Sequence, residues 1–182
     1  DFQQSLPDAG VTRRLQISPV KGKASICVGV RRSGKSTYLF QIVKRLLNQG
    51  VSAENILYLN FFDDRLRSLR KGDLNTITEA YFLLYPEKKN KEGIYCFFDE
   101  IQEISDWEPF IDRLMRTEKC EVYITGSSAK MLSQEIATQM RGRSISWEMF
   151  PFSFGKSALV SSTSVPELIL IQAFLLVNQS NS

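Results

Sequence analysis

Gly29-Val30-Arg31-Arg32-Ser33-Gly34-Lys35-Ser36 is the stretch that decides the fold. It satisfies every fixed position of the phosphate-binding (Walker A) pattern G-x-x-x-x-G-K-[ST]. Glycines let a backbone fold into a nest whose N–H groups point inward at an anion. A helix that follows presents its positive end to the same anion. The flanks supply both supports. Ser25–Gly29 is short and apolar, as a strand buried on both faces must be. After the loop, Tyr38, Leu39, Ile42, Val43, Leu46 and Leu47 form one helical stripe running to about Gln49, and Gly50 is placed to end it. Lys35 supplies a mobile charge for β- and γ-phosphates, and Ser36 a hydroxyl for Mg²⁺. Gly29, Arg32, Ser33, Gly34, Lys35, Ser36 and Thr37 are the candidate nucleotide-binding residues.

Working outward, strand and helix patterns alternate, which predicts an α/β fold with a parallel sheet. Further strands are expected at Asn55–Phe61, Gly93–Phe98, Glu121–Thr125 and Ser144–Met149. An amphipathic helix is expected over Leu74–Tyr85. Another carries Trp107, Phe110, Ile111, Leu114 and Met115, with Asp106 as N-cap and Pro109 harmless at the third helical position. Gly126–Gln139 is polar, with short helical pieces. Ser157–Ser164 reads as a linker. Val165–Val177 is an apolar helix candidate that either packs on its own domain or docks a partner.

The third strand, Ile94-Tyr95-Cys96-Phe97-Phe98, ends in Asp99-Glu100, a Walker B arrangement. Acids are costly in an apolar sheet unless a cation or ligand uses them. Asp99 would hold Mg²⁺ through water, and Glu100 would act as general base on the attacking water. Thr125-Gly126-Ser127-Ser128 closes the fourth strand with hydroxyls. If that strand lies between the first and third, Ser127 is placed to read the γ-phosphate or to orient the water. Arg141-Gly142-Arg143 precedes the fifth strand. Arg143 is the candidate for stabilising transition-state charge, in trans between copies of a homo-oligomer, and is as readily a solvated surface arginine.

Composition narrows the alternatives. Among 182 residues there is no histidine, which excludes Ser-His-Asp and Cys-His catalysis and His-ligated metals in this chain. The formal charge of +3 is too mild to mark a nucleic-acid binder by itself. It is unevenly spread: residues 1–91 carry 16 basic and 8 acidic residues, and residues 92–182 carry 7 and 12. The basic cluster Arg65, Arg67, Arg70 and Lys71 is either a nucleic-acid contact or a solvated face, and no aromatics interleave with it. Cys27, Cys96 and Cys120 match no metal spacing and read as buried free thiols. With no signal peptide and no apolar run of about 18 residues, a cytoplasmic protein without a membrane span is expected.

GVRRSGKST, FFDEIQEISDW, ITGSSAKML and RGRSISWEMFPFSF, in that order, resemble the archaeal-type P-loop ATPases of bacteria and archaea, an AAA+/STAND-related family. The resemblance covers about residues 24–155. It implies a three-layer P-loop NTPase fold with a five-stranded parallel sheet in the order 5-1-4-3-2. It implies ATP and Mg²⁺ as ligands and ATP hydrolysis as the activity. By matching motif, Lys35, Ser36, Asp99, Glu100, Ser127 and Arg143 inherit the roles given above. ATP rather than GTP rests on the resemblance, since no N-K-x-D tetrapeptide is present. Residues 1–23 are then an N-terminal extension, 24–155 the ATPase domain, and 156–182 a linker and C-terminal helix, the remnant of a further domain. Gly155-Lys156 stands where the family usually carries an acid. A low-turnover nucleotide switch or scaffold is the alternative. A small-molecule kinase fits the acid pair less well than a water-activating site does.

Overall fold

The computed structural model describes residues 15, 17–66, 74–127, 140 and 142–151. Five strands, β1 (Ala24–Val28), β2 (Ile56–Asn60), β3 (Tyr95–Asp99), β4 (Glu121–Gly126) and β5 (Ser144–Glu148), form one sheet. Its order is β2-β3-β4-β1-β5, which is the expected 5-1-4-3-2 read from the other edge. Every neighbouring pair is parallel. Among the described residues three α-helices accompany it: α1 (Lys35–Asn48), α2 (Asn75–Leu84) and α3 (Trp107–Thr117).

Successive strand side chains point to opposite faces, and both faces are covered. On one, Ile26, Leu59, Phe98 and Ile124 pack with Tyr81 of α2 and Phe110, Ile111 and Leu114 of α3. On the other, Cys27, Tyr58, Phe97 and Tyr123 pack with Leu39, Val43 and Leu46 of α1. This two-sided burial explains why the inner strands read as dense apolar runs rather than as alternating ones. An aromatic row crosses the α1 face, with Phe40 stacked on Tyr58, Tyr58 on Phe97 and Phe97 on Tyr123. β5, at the sheet edge, is only partly buried.

Element ends differ in detail from the sequence reading. β1 begins and ends one residue earlier than expected, and β3 starts at Tyr95 and includes Asp99. α1 ends as anticipated. Gly50 takes φ +88°, its N–H donates to the Leu47 carbonyl, and Val51 N–H reaches back to Leu46, the Schellman closure. Asp106 does sit just ahead of α3, but it is left-handed (φ 54°) and its side chain makes no capping hydrogen bond. The chain must turn sharply there to leave the short turn after β3, and that geometry displaces an ordinary side-chain cap. All three cysteines are buried, and none is in a disulfide. No described helix is long and apolar enough to cross a membrane. The expected helical pieces beyond Ser127 and the Val165–Val177 helix lie outside the described residues.

Leu59 has no exposed surface and sits on the face covered by α2 and α3. Truncation there leaves a cavity that a sheet pinned on both faces cannot collapse. Leu59→Ala should cost about 2–5 kcal/mol, read as a lower midpoint in urea unfolding at unchanged slope. A shift under about 1 kcal/mol would contradict two-sided burial of this strand.

Candidate functional site

The residues leaving β1, β3 and β4 share the carboxyl rim of the sheet, the edge where open α/β sheets bind ligands. At the end of β1 the chain enters the loop through Gly29. A Cβ on Gly29 would stand 2.3 Å from the Met149 carbonyl oxygen and 2.8 Å from Ser33 Oγ. The cause is the chain leaving β5, whose Met149 N–H donates to the Val28 carbonyl at 2.7 Å. Arg32 (φ 62°) and Gly34 (φ 88°) are both left-handed, the kind of reversal that builds an N–H concavity. α1 starts at Lys35 with no acidic residue in its first turn and no side-chain cap, so its first N–H groups and dipole face the loop.

Lys35 is buried, with its ammonium folded back on the loop. Nζ donates to the carbonyls of Gly29 (3.1 Å) and Val30 (3.2 Å). It also stands 3.5 Å from Glu100 Oε1. Cation and candidate base therefore meet directly.

Asp99, at the end of β3, has no exposed surface. Its Oδ2 accepts from the Tyr58 hydroxyl at 2.8 Å, its Oδ1 accepts from Thr125 Oγ1, and the Ser36 hydroxyl is a third partner. Burial pushes the Asp99 carboxyl above its ordinary range; the three hydroxyls pull it down and Glu100 pushes it up again. Burial, and then the Asp99 charge, push the Tyr58 phenol far up, so Tyr58 stays protonated and remains a donor. Thr125 Oγ1 also accepts from Glu100 N–H at 3.0 Å. The parallel registers explain the convergence. Asp99 lies opposite Asn60 of β2, and Phe98 lies opposite Ile124 of β4, so Thr125 comes level with Asp99.

Glu100 is left-handed (φ 55°, ψ 45°), which swings its carboxylate off the strand line toward Lys35. Its Oε2 accepts from Gln102 Nε2 at 2.5 Å, and Gln102 Oε1 accepts from Ser127 N–H at 3.3 Å.

These donors fit the ligands implied by the sequence. Ser36 and Asp99 place a hydroxyl and a carboxylate together, hard oxygens of the kind Mg²⁺ takes. No three His, Cys, Asp or Glu residues cluster as a metal cage among the described residues. The Gly29 approach, closed to any side chain, and the uncapped helix start form the matching anion cradle.

Gly29, Arg32, Ser33, Gly34, Lys35, Ser36 and Thr37 all lie on the loop and the first turn of α1. Asp99, Glu100 and Ser127 join them at the same rim. Arg143 does not. It precedes β5, and its carbonyl accepts from Ala24 N–H at the opposite end of the sheet. A five-residue strand separates it from the loop, about 16 Å. There it pairs with Asp112 of α3 at 2.9 Å. Because β5 runs parallel to β1, a residue before β5 cannot share the end at which β1 enters the loop. Arg65 of the basic cluster forks onto Asp63; Arg67, Arg70 and Lys71 lie outside the described residues, as do Ser128 and Arg141. The sequence reading missed Tyr58, Gln102 and the double role of Thr125. A tyrosine inside an apolar strand carries no mark of its own. Gln102 and Thr125 stood within stretches already singled out.

A loop entered through a glycine and feeding a helix, with a buried lysine meeting the second of two acids at the end of a parallel strand, defines a P-loop nucleotide-binding domain. Residues 21–158 match the AAA domain family, and the chain belongs to that family of P-loop ATPase domains. It is 35% identical over 144 residues to an uncharacterised protein of Methanocaldococcus jannaschii, covering 79% of this chain and 30% of that protein. It is 38% identical over 128 residues to an uncharacterised protein of Haemophilus influenzae, covering 69% and 30%. The chain thus spans 30% of the length of both relatives. Among solved structures, PCH-2 of C. elegans has the same fold, with a TM-score of 0.50 at 14% identity over 71% of this chain and 35% of that one.

The Asp99 environment makes a stability prediction. A carboxyl whose folded pKa lies above its unfolded value favours folding below the unfolded pKa, and that contribution is lost as pH rises through the folded pKa. Asp99 therefore stabilises the free protein less at neutral pH than in acid. Asp99→Asn should raise the thermal midpoint at pH 7, with the gap narrowing in acid. A lower midpoint at pH 7 would mean that the three hydroxyl bonds outweigh burial.

Proposed function

We propose that this domain binds Mg-ATP and hydrolyses it. The observation that carries the reading is the meeting of Lys35, Glu100, Ser36 and Asp99 at one rim, with Lys35 Nζ 3.5 Å from Glu100. The loop N–H groups and Lys35 would hold the β- and γ-phosphates once Lys35 leaves the Gly29 and Val30 carbonyls. Ser36 and Asp99, the latter through water, would hold Mg²⁺, which when bound offsets phosphate charge and orients the transferred group. Tyr58 and Thr125 keep the Asp99 carboxylate aimed. Glu100 accepts the proton of the attacking water. Ser127, on the same rim, reads the γ-phosphate or orients that water.

The site residues and the domain limits at 24–155 form one proposal with this chemistry. Arg143 takes no part within the chain. A transition-state role for it requires a second copy, delivered to the loop of its neighbour after release from Asp112. A second reading, a nucleotide-dependent switch with little turnover, draws on the Lys35–Glu100 pair, which in the free protein occupies both groups at once.

Two substitutions separate these readings. Lys35→Ala should nearly abolish binding of Mg-ATP in a direct titration; unchanged affinity would remove this loop from nucleotide binding. Glu100→Gln keeps shape and one acceptor oxygen but discards the base. It should preserve binding and lower turnover about 10²–10⁴-fold. Turnover within a few-fold of the parent would strip Glu100 of its role and favour the switch.

A further inference from the structure

Gln102 stands in the short turn after β3 and belongs to none of the roles assigned so far. It is half-buried, and both ends of its amide are engaged. Nε2 donates to Glu100 Oε2, and Oε1 accepts from the main-chain N–H of Ser127. Its amide donates to a carboxylate through the NH₂ group and accepts from a backbone N–H through the oxygen, adding no charge beside the acid. The other Glu100 oxygen faces Lys35. A continuous chain therefore runs from the loop through Lys35, Glu100 and Gln102 to the end of β4.

We infer that Gln102 is the positioning residue for Glu100, tying its carboxylate to the end of β4 so that the base stays aimed when Lys35 turns to the phosphates. The inference rests on the reading of Glu100 as base. Its physical content is a difference in holding. In the free protein Glu100 is held from two sides, by Lys35 and by Gln102. Phosphates compete for Lys35, since an ammonium with three donors moves to the stronger anion. Among the described residues, Gln102 is then the remaining side-chain hold on a carboxylate whose backbone already sits in a left-handed turn. A loose base loses the alignment that proton transfer needs. Ser127 contributes through its main-chain N–H, so displacement of the β4 end by a ligand at the γ-phosphate position would be transmitted to Glu100 through one side chain.

The test uses the full chain and four variants: Gln102→Met, which keeps volume and drops both hydrogen bonds; Gln102→Glu, which keeps the acceptor for Ser127 and loses the donor to Glu100; Glu100→Gln; and Glu100→Gln combined with Gln102→Met. Turnover of Mg-ATP and affinity for a fluorescent ATP analogue are measured for each. Gln102→Met and Gln102→Glu should each lose about 10²-fold in turnover, the scale of a misplaced reacting group, with affinity within about threefold of the parent. In the Glu100→Gln background, Gln102→Met should change turnover less than about twofold, because a residue that acts through another has no effect once that other is gone. A purely structural role would add its loss in both backgrounds and lower affinity as well. If Glu100→Gln is inactive while Gln102→Met keeps parental turnover, the inference falls and the base reading stands. If Glu100→Gln keeps parental turnover, the base reading falls and takes this inference with it.

Discussion

Asp99 is a carboxylate with no surface exposed to water, and four elements meet on it. β3 carries it, β2 sends the Tyr58 hydroxyl, β4 sends Thr125 and α1 sends Ser36. An isolated ionised carboxyl in such a place would be prohibitive. Three hydroxyl partners make it tolerable, and each of them has to come from a different part of the chain. The packing of α1 on the sheet and the registers of β2 and β4 against β3 are therefore conditions for the site as much as for the fold. Cores specify backbone positions to within a few tenths of an ångström because they are close-packed. Here that precision is passed on to a polar group.

The rest of the site inherits its position from this arrangement. Thr125 joins Asp99 to the Glu100 main chain, so the acid pair cannot shift separately from β4. Glu100 turns left-handed at the strand end and meets Lys35, whose own position is set by the start of α1. The loop between β1 and α1 is pressed by the Met149 carbonyl, which is why its first glycine accepts no side chain. The edge strand β5, poorly buried and distant from the acids, thus shapes this loop through the backbone of Met149, the residue that follows it. Burial that leaves Asp99 above its ordinary pKa is a cost carried by the free protein.

Much of the site is legible in the sequence. The G-x-x-x-x-G-K-S loop is readable because each fixed position answers a local demand: backbone freedom, a cation, a hydroxyl. Helix α1 was readable through its stripe and its glycine stop, because both are encoded within a few residues. Asp99 and Glu100 stood out because two acids ending an apolar strand break the pattern. Asp106 shows the limit of such local reading. Its residue type suits an N-cap, yet the path of the chain out of the preceding turn sets its backbone and leaves the side chain unused.

Local sequence is enough to set the chemical groups and their order along the chain, since loops, stripes and strand ends depend on neighbours a few residues away. The sheet order was reached by resemblance, because periodicity says which segments are strands and nothing about which lie side by side. Tertiary structure alone decided which distant side chains touch. Tyr58 and Asp99 are 41 residues apart and become partners through one parallel register. Gln102 and Ser127, 25 apart, become partners through the next strand pair. Arg143 was carried to the far end of the sheet by the direction of β5, and no local feature of Arg141-Gly142-Arg143 encodes that direction. Pairing across a sheet is a property of the assembled core, so only the fold could assign these contacts.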